Sequence, residues 1–393
     1  MTLKVRINGQ MKQITGPGNS PVTFINGTKK KLVKGVTFIN GQKKVLWDTK
    51  DVKIDIIDGV YDLFNGSAKV IWASNNKVIL STVSPYSETL NISRWNIENK
   101  SNPIVENTVA LGSVVGFSSI DTTNTNMVYY AVSGTQSAQQ ININPNTAEI
   151  TASNPVSMTG TWWGQTSGGL IGNSDWLGYR LNTNTSWHIK LNSTLIASFG
   201  YTVSGSVSGS INIGNMAKRD ATSYLLHTVS GTAGDINHSL SIVDSTGIIG
   251  GVNDANFCDI LVDPEYNHIV CCGDDGYAVY DMTFKRITSL TPTAGRTYRL
   301  LGRIGDYYYV FIQNKNSSGG LTHPLINIYN ASNGGYEDFR NLLDLNFNNY
   351  DYDGPEVQTI PHISQTGALG FVWSPGGQKK DRRSQKLVII QGY

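Results

Sequence analysis

The chain has 393 residues, of which only 15% are charged and 10% aromatic, with 41 glycines. That aromatic content excludes disorder, because a disordered chain lacks the apolar surface that offsets its ordering entropy, and few charges among many Gly, Ser, Thr and Asn residues indicate an all-β protein. Three cysteines (Cys258, Cys271 and Cys272, two of them adjacent) exclude a disulfide framework, and no stretch approaches the ~18 apolar residues of a membrane span.

The net charge of +2 hides a split. Residues 1–50 hold ten Lys/Arg and one acid, Asp48, for +9; the remainder holds 21 Lys/Arg against 28 Asp/Glu, for −7. A domain boundary near residue 50 follows. Within the basic segment a short unit recurs: Val5-Arg6-Ile7-Asn8-Gly9, then Val22-Thr23-Phe24-Ile25-Asn26-Gly27, then Val36-Thr37-Phe38-Ile39-Asn40-Gly41. Asn-Gly supplies the two positive-φ residues of a type I′ turn, so three consecutive β-hairpins are expected. Hairpins this small are marginal alone and must pack on a partner or on each other, for instance as a trimeric bundle. Basic runs could signal nucleic acid, but no aromatic platform or helix accompanies the lysines, and a solvated face or an acidic protein partner fits better.

Beyond residue 65 a different period rules. A strand ending in Asn or Asp, then a Ser/Thr/Gly-type turn, recurs at Asn96, Asn144, Asn192, Asp244, Asp281 and Asn330, at intervals of 48, 48, 52, 37 and 49 residues. Periods of about 40–50 residues holding several short strands indicate a β-propeller. Seven blades fit best, with six or eight as alternatives. The seventh lacks room for a fourth strand after residues 386–390, and residues 52–64 are placed to supply it. The division is therefore 1–50 as a hairpin segment and 51–393 as the propeller.

No motif for catalysis stands out: there is no G-x-S-x-G, H-E-x-x-H or P-loop, and no cofactor is implied. The run Asn349, Asp351, Asp353, Gly354 opens like a calcium loop, but Ile360 stands where an EF-hand needs Glu, so a polar loop is the better reading. Asp259, Asp263, Glu265, Asp274 and Asp275 cluster in one repeat. They could be glycosidase carboxylates, but polar turns at blade edges explain them more simply. The aromatic runs Trp162-Trp163 and Tyr307-Tyr308-Tyr309 put successive rings on opposite faces of a strand. Burial between blades is the first reading. Exposed at a loop end, Trp162, Trp163, Tyr307 and Tyr309 would stack on sugars. The six histidines are too scattered for a metal site.

The units Thr23-Phe24-Ile25-Asn26-Gly27 with Lys29-Lys30, and Thr37-Phe38-Ile39-Asn40-Gly41 with Lys43-Lys44, resemble repeats in tail and structural proteins of phages that infect Gram-positive bacteria. The resemblance covers about the first 50 residues. It implies a virion protein whose hairpins attach it to other virion proteins, with Lys29, Lys30, Lys31, Lys43 and Lys44 as the attachment residues. The propeller would then be a non-enzymatic head of the tail-fibre or receptor-binding type, facing a host glycan or protein. Cytoplasmic synthesis and release by lysis would account for the lack of an apolar leader run. A propeller glycosidase or lyase, or a decoration protein without a ligand, are the alternatives.

Overall fold

A computed structural model describes residues 3–7, 10–14, 22–25, 28–31, 34–39, 42–48, 52–83, 89–121, 127–133, 137–152, 156–157, 171–172, 176–180, 186–191, 194–200, 212–220, 222–232, 235–244, 247–253, 257–315, 319–345, 356–375 and 384–392. The chain divides into two compact units, Met1–Lys53 with Gly392–Tyr393, and Ile54–Gln391.

The smaller unit holds three antiparallel strand pairs: Leu3–Ile7 with Gln10–Ile14, Val22–Ile25 with Thr28–Lys31, and Lys34–Ile39 with Gln42–Asp48. Their last registered partners are Ile7↔Gln10, Ile25↔Thr28 and Ile39↔Gln42; the Asn-Gly turns expected from the sequence lie outside the described residues. Lys29, Lys30 and Lys31 face Phe24, Thr23 and Val22 in register; Lys43 and Lys44 face Phe38 and Thr37.

The larger unit is a β-propeller of seven antiparallel blades among the described residues. The first strand of each blade is Ser67–Ala73 in blade 1, the second half of Ile104–Asp121 in blade 2, Ile171–Gly172 in blade 3, Asn212–Lys218 in blade 4, Phe257–Asp263 in blade 5, Arg296–Ile304 in blade 6 and Glu356–Gln358 in blade 7. Strand Ile104–Asp121 pairs with Thr89–Asn96 through its first half and with Met127–Ser133 through its second. The outer strand of blade 1 thus becomes the inner strand of blade 2 without a break, and the two blades read as one eight-stranded sheet.

The recurring Asn/Asp proves to be a turn device. The side-chain Oδ1 of Asn96, Asn144, Asp281 and Asn330 accepts the N–H two residues on, from Glu98 (2.9 Å), Asn146 (3.0 Å), Thr283 (2.8 Å) and Ser332 (2.9 Å). This Asx-turn reverses the chain between the third and fourth strands of a blade. In three of these turns a left-handed residue completes the reversal: Ala148 (φ 59°), Phe284 (φ 64°) and Gly334 (φ 68°).

Packing between blades explains the apolar runs. Every residue of His268–Gly273 and of Ala368–Ser374 is buried, because both faces of a middle strand are covered by neighbouring blades. One apolar cluster joins blades 1 and 2, another blades 4 and 5, and a third blades 5 and 6, where Tyr277 stacks on Tyr329 at 3.9 Å.

The ring closes at blade 7. Its sheet runs Glu356–Gln358, Ala368–Ser374, Lys386–Gln391 and then Lys53–Asp58, so its fourth strand comes from the other end of the chain. Gly59 (φ 70°) ends that strand, and Val60–Leu63 form a helical turn that the strand pattern of the sequence did not suggest. Ile57, Val60 and Phe64 then pack in one core with residues of blades 1 and 7, and Phe64 meets Trp95 edge-on at 4.9 Å.

This closure makes a direct prediction. A chain starting at residue 51 should melt cooperatively with a strand-dominated far-UV spectrum. One starting at residue 59 loses the closing strand and should melt more than about 5 °C lower, at ~1–2 °C per kcal/mol for a unit of this size. Equal melting temperatures would show that Lys53–Asp58 does not lock the ring.

Candidate functional site

The first strands of the blades come together, and those of blades 1, 5 and 6 bring charged side chains to one another. Asp259 in blade 5 is 2% exposed. It accepts from Arg299 of blade 6 through Nε (2.7 Å) and Nη2 (3.0 Å), and from the Leu300 backbone N–H (2.9 Å). Arg299 Nη1 reaches onward to the Val357 carbonyl of blade 7 at 3.1 Å. Lys69 of blade 1 is half-buried in the same field. Desolvation, with Arg299 opposing and Asp259 supporting its charge, brings its amine down to about 8. Arg299 thus links blade 6 to the Asp259 carboxylate of blade 5 and the Val357 main chain of blade 7, with the Lys69 amine of blade 1 in their field.

Four residues along the same two strands a second network repeats the pairing. Asp263 is fully buried, with Arg303 Nε at 2.8 Å, and accepts from the Tyr308 hydroxyl at 2.9 Å. His268 Nδ1 lies 3.3 Å from the same hydroxyl, and burial lowers the His268 pKa. Arg303 also pairs with Glu265, donates to the Gly305 carbonyl at 2.7 Å and sits 5.0 Å over the Tyr266 ring. The Tyr266 hydroxyl donates to Asp306 at 2.8 Å, and burial with that bond pushes its pKa up to about 12.

These networks correct one sequence expectation. Asp259 and Asp263 are not polar turn residues: both are buried on the inner strand of blade 5 and tied to arginines. Glu265, Asp274 and Asp275 do lie at strand connections. Two carboxylates held this way clamp adjacent blades. A signal was present in the sequence: acids four apart, Asp259 and Asp263, are matched 40 residues later by arginines four apart, Arg299 and Arg303.

The other candidate residues scatter. Tyr309 is 2% exposed and belongs to the core, so its ring offers no face to a ligand; Tyr307, the first residue of its strand, is half-buried. Trp162, Trp163, Asn349, Asp351 and Asp353 lie outside the described residues. Among the described residues no group of three or more His, Cys, Asp or Glu could hold a metal. One connection is firmly built. Asn314 Nδ2 donates to the Leu321 carbonyl (2.7 Å), its Oδ1 accepts the Leu321 N–H (3.1 Å), and Arg296 Nε donates to the Gly319 carbonyl (2.7 Å).

No family model and no curated protein matches the chain. Among solved structures it is similar to the β-propeller domain of Cps50 (Swd1) from Myceliophteria thermophila, at 10% identity over 86% of this chain and 99% of that one, with a TM-score of 0.49. It is similar also to the RRP9 WD40 repeats (11% identity, 86% and 97% covered, TM-score 0.44) and to the Dos1 propeller (10%, 81% and 77%, TM-score 0.42). The propeller assignment stands on strand order and ring closure.

Two predictions follow from the inner strands. Arg299→Ala strands a buried carboxylate and should cost ~3–5 kcal/mol, whereas Asp259→Leu with Arg299→Met should cost much less, because the desolvation penalty leaves with the charges. Urea unfolding of the three proteins checks this, and equal losses would refute it.

For Lys69, the folded pKa lies below the unfolded value of 10.5. Between pH 8 and 10.5 the unfolded chain binds more protons at this site, so its contribution to stability rises with pH, by at most ~3 kcal/mol. Lys69→Met should therefore raise stability at pH 7 and remove that rise. A variant whose pH profile parallels wild type would show that Lys69 titrates normally.

Proposed function

We propose that the chain is a virion surface protein of a phage, with the hairpins as attachment and the propeller as a binding head for a host cell-surface glycan or protein. The carrying observation is the division into two units of unlike build and charge. Residues 1–50 carry +9 and form two-stranded sheets, each too slight to be stable alone; the rest carries −7 and closes its own core. A small basic unit beside a self-sufficient acidic one suits a tether to an acidic partner protein. The likeness of the hairpin units to phage structural repeats suggests the virion as the setting.

Binding is favoured over hydrolysis by the use of the inner acids. Asp259 and Asp263, the most sheltered carboxylates of the cluster, hold arginines and link blades. Ligand contact then falls to the connections, with half-buried Tyr307 and the Trp162–Trp163 segment as the aromatic candidates.

The test has two arms. Fluorescent full-length protein should adsorb to intact host cells and lose adsorption after removal of wall glycan. Protein lacking residues 1–50 should adsorb equally well but fail to enter particles. Changing Lys29, Lys30, Lys31, Lys43 and Lys44 to Glu should imitate the deletion, and raised salt should weaken attachment in parallel. Normal incorporation of the truncated protein would overturn the attachment role; release of soluble fragments from labelled wall polysaccharide would replace binding with hydrolysis.

A further inference from the structure

Large apolar side chains exposed among the described residues are few, and three of them gather on one outer segment of blade 6: Tyr336 (56%), Phe339 (45%) and Leu343 (66%). Among the described residues, strand Tyr336–Asn341 ends its sheet, pairing with Leu325–Asn330 along one edge only. At the middle of this strand, the Phe339 N–H donates to Asp338 Oδ1 at 2.8 Å and the Phe339 carbonyl accepts from Arg340 Nη1 at 2.7 Å. Asp338 and Arg340 are themselves ion-paired. Two neighbouring side chains of opposite charge thus cover the main-chain groups that a further strand would use.

An edge strand with exposed apolar residues invites pairing with another chain. A two-fold axis normal to the sheet keeps every residue on its own face, so residues opposite each other must be an even number apart, and the register must centre on a single residue. Centring on Phe339 sets Phe339 against Phe339, Asp338 against Arg340 and Glu337 against Asn341 of the second copy. Centring on Glu337, Asp338 or Arg340 opposes no acid to a base within the strand. One register therefore turns the Asp338–Arg340 pair within a chain into two such pairs between chains and puts the exposed phenylalanines together.

We propose that the outer strand Tyr336–Asn341 of blade 6 is a self-association surface, joining two copies of this chain edge to edge and antiparallel about Phe339. The Asp338 and Arg340 side chains release the Phe339 main chain as the second strand takes their place, so a lone copy keeps its edge covered. A single strand edge makes a small interface, and the dimer accordingly forms and dissociates with concentration.

Sedimentation of the full-length chain over a concentration series tests this. Wild type should pass from monomer to dimer. Asp338→Arg and Arg340→Asp each set like charges opposite one another twice, and each should weaken association by about tenfold or more. The double variant Asp338→Arg with Arg340→Asp restores opposed charges and should recover wild-type association to within about threefold. Thermal melting of each variant establishes that it is folded. Phe339→Cys should give a disulfide-linked dimer on mild oxidation, since residues paired at the axis lie within bridging reach. A wild-type chain that stays monomeric throughout overturns the proposal. So does association that all three charge variants leave unchanged, which would place it on the hairpins, or a folded double variant that fails to recover.

Discussion

Everything in the larger unit depends on closing a ring of sheets that are apolar on both faces. A blade whose middle strand reads Ala368–Ser374, buried at every position, cannot stand at the end of a stack, because one face would meet water. The closing strand Lys53–Asp58 answers this by tying the first segment of the propeller to its last blade. The seam is joined on the inside as well: Thr359 bridges to Val70, and the Thr366 hydroxyl donates to the Ala73 carbonyl at 2.7 Å. Outer strand, inner bridge and shared apolar cluster all cross between blades 7 and 1, so the joint is no weaker in kind than the joints between blades continuous in sequence.

Closure draws the inner strands close enough to restrict what they can carry. Beside blade 6 the strand His362–Ser364 runs parallel to Arg296–Ile304, and Gly302 (φ 137°) faces His362 where a β-carbon would collide with its backbone. Charges brought into such a space must be matched, since a buried ion pair gains little overall but a buried lone charge costs several kcal/mol. The Asp259–Arg299 and Asp263–Arg303 pairs meet that condition and also fix the register between blades 5 and 6. Shifting one strand by a residue would separate both pairs at once. Their role is specificity of arrangement more than net stability.

The blade period was legible because an Asx-turn needs an oxygen side chain at one position, and that need recurs where the third strand reverses into the fourth in blades 1, 2, 5 and 6. The fourth strand of blade 7 is Lys53–Asp58, inside the 52–64 segment to which the strand count points. The buried acids were misread for a physical reason. On a propeller both faces of a strand are covered, so burial does not alternate, and a carboxylate in an apolar run looks like the end of the run. Only the partner arginines 40 residues on distinguish the cases, and their pairing is tertiary. Tyr309 and Tyr307 show the same limit: neighbours in sequence with equal rings, one in the core and one half-exposed, separated by position in the strand and not by residue type. The turn of helix at Val60–Leu63 was hidden because four residues are too few to show a helical period.

These constraints distribute the remaining freedom of the molecule. The inner strands of blades 5 and 6 hold ion pairs between blades, and the fully buried middle strands make apolar contact. What varies without cost to the ring is the set of connections and the outermost strands. After Tyr307–Asn314, the Asn314 and Arg296 side chains bond the main chain of Leu321 and Gly319, so these contacts leave the side chains there free to vary. The outermost strands differ in a complementary way. That of blade 7 is supplied by Lys53–Asp58, which leads directly from the hairpin unit, while that of blade 6 exposes Phe339 and Leu343. Attachment, self-association and ligand contact can therefore occupy separate parts of the chain, and substitution in one need not unsettle the ring that supports the others.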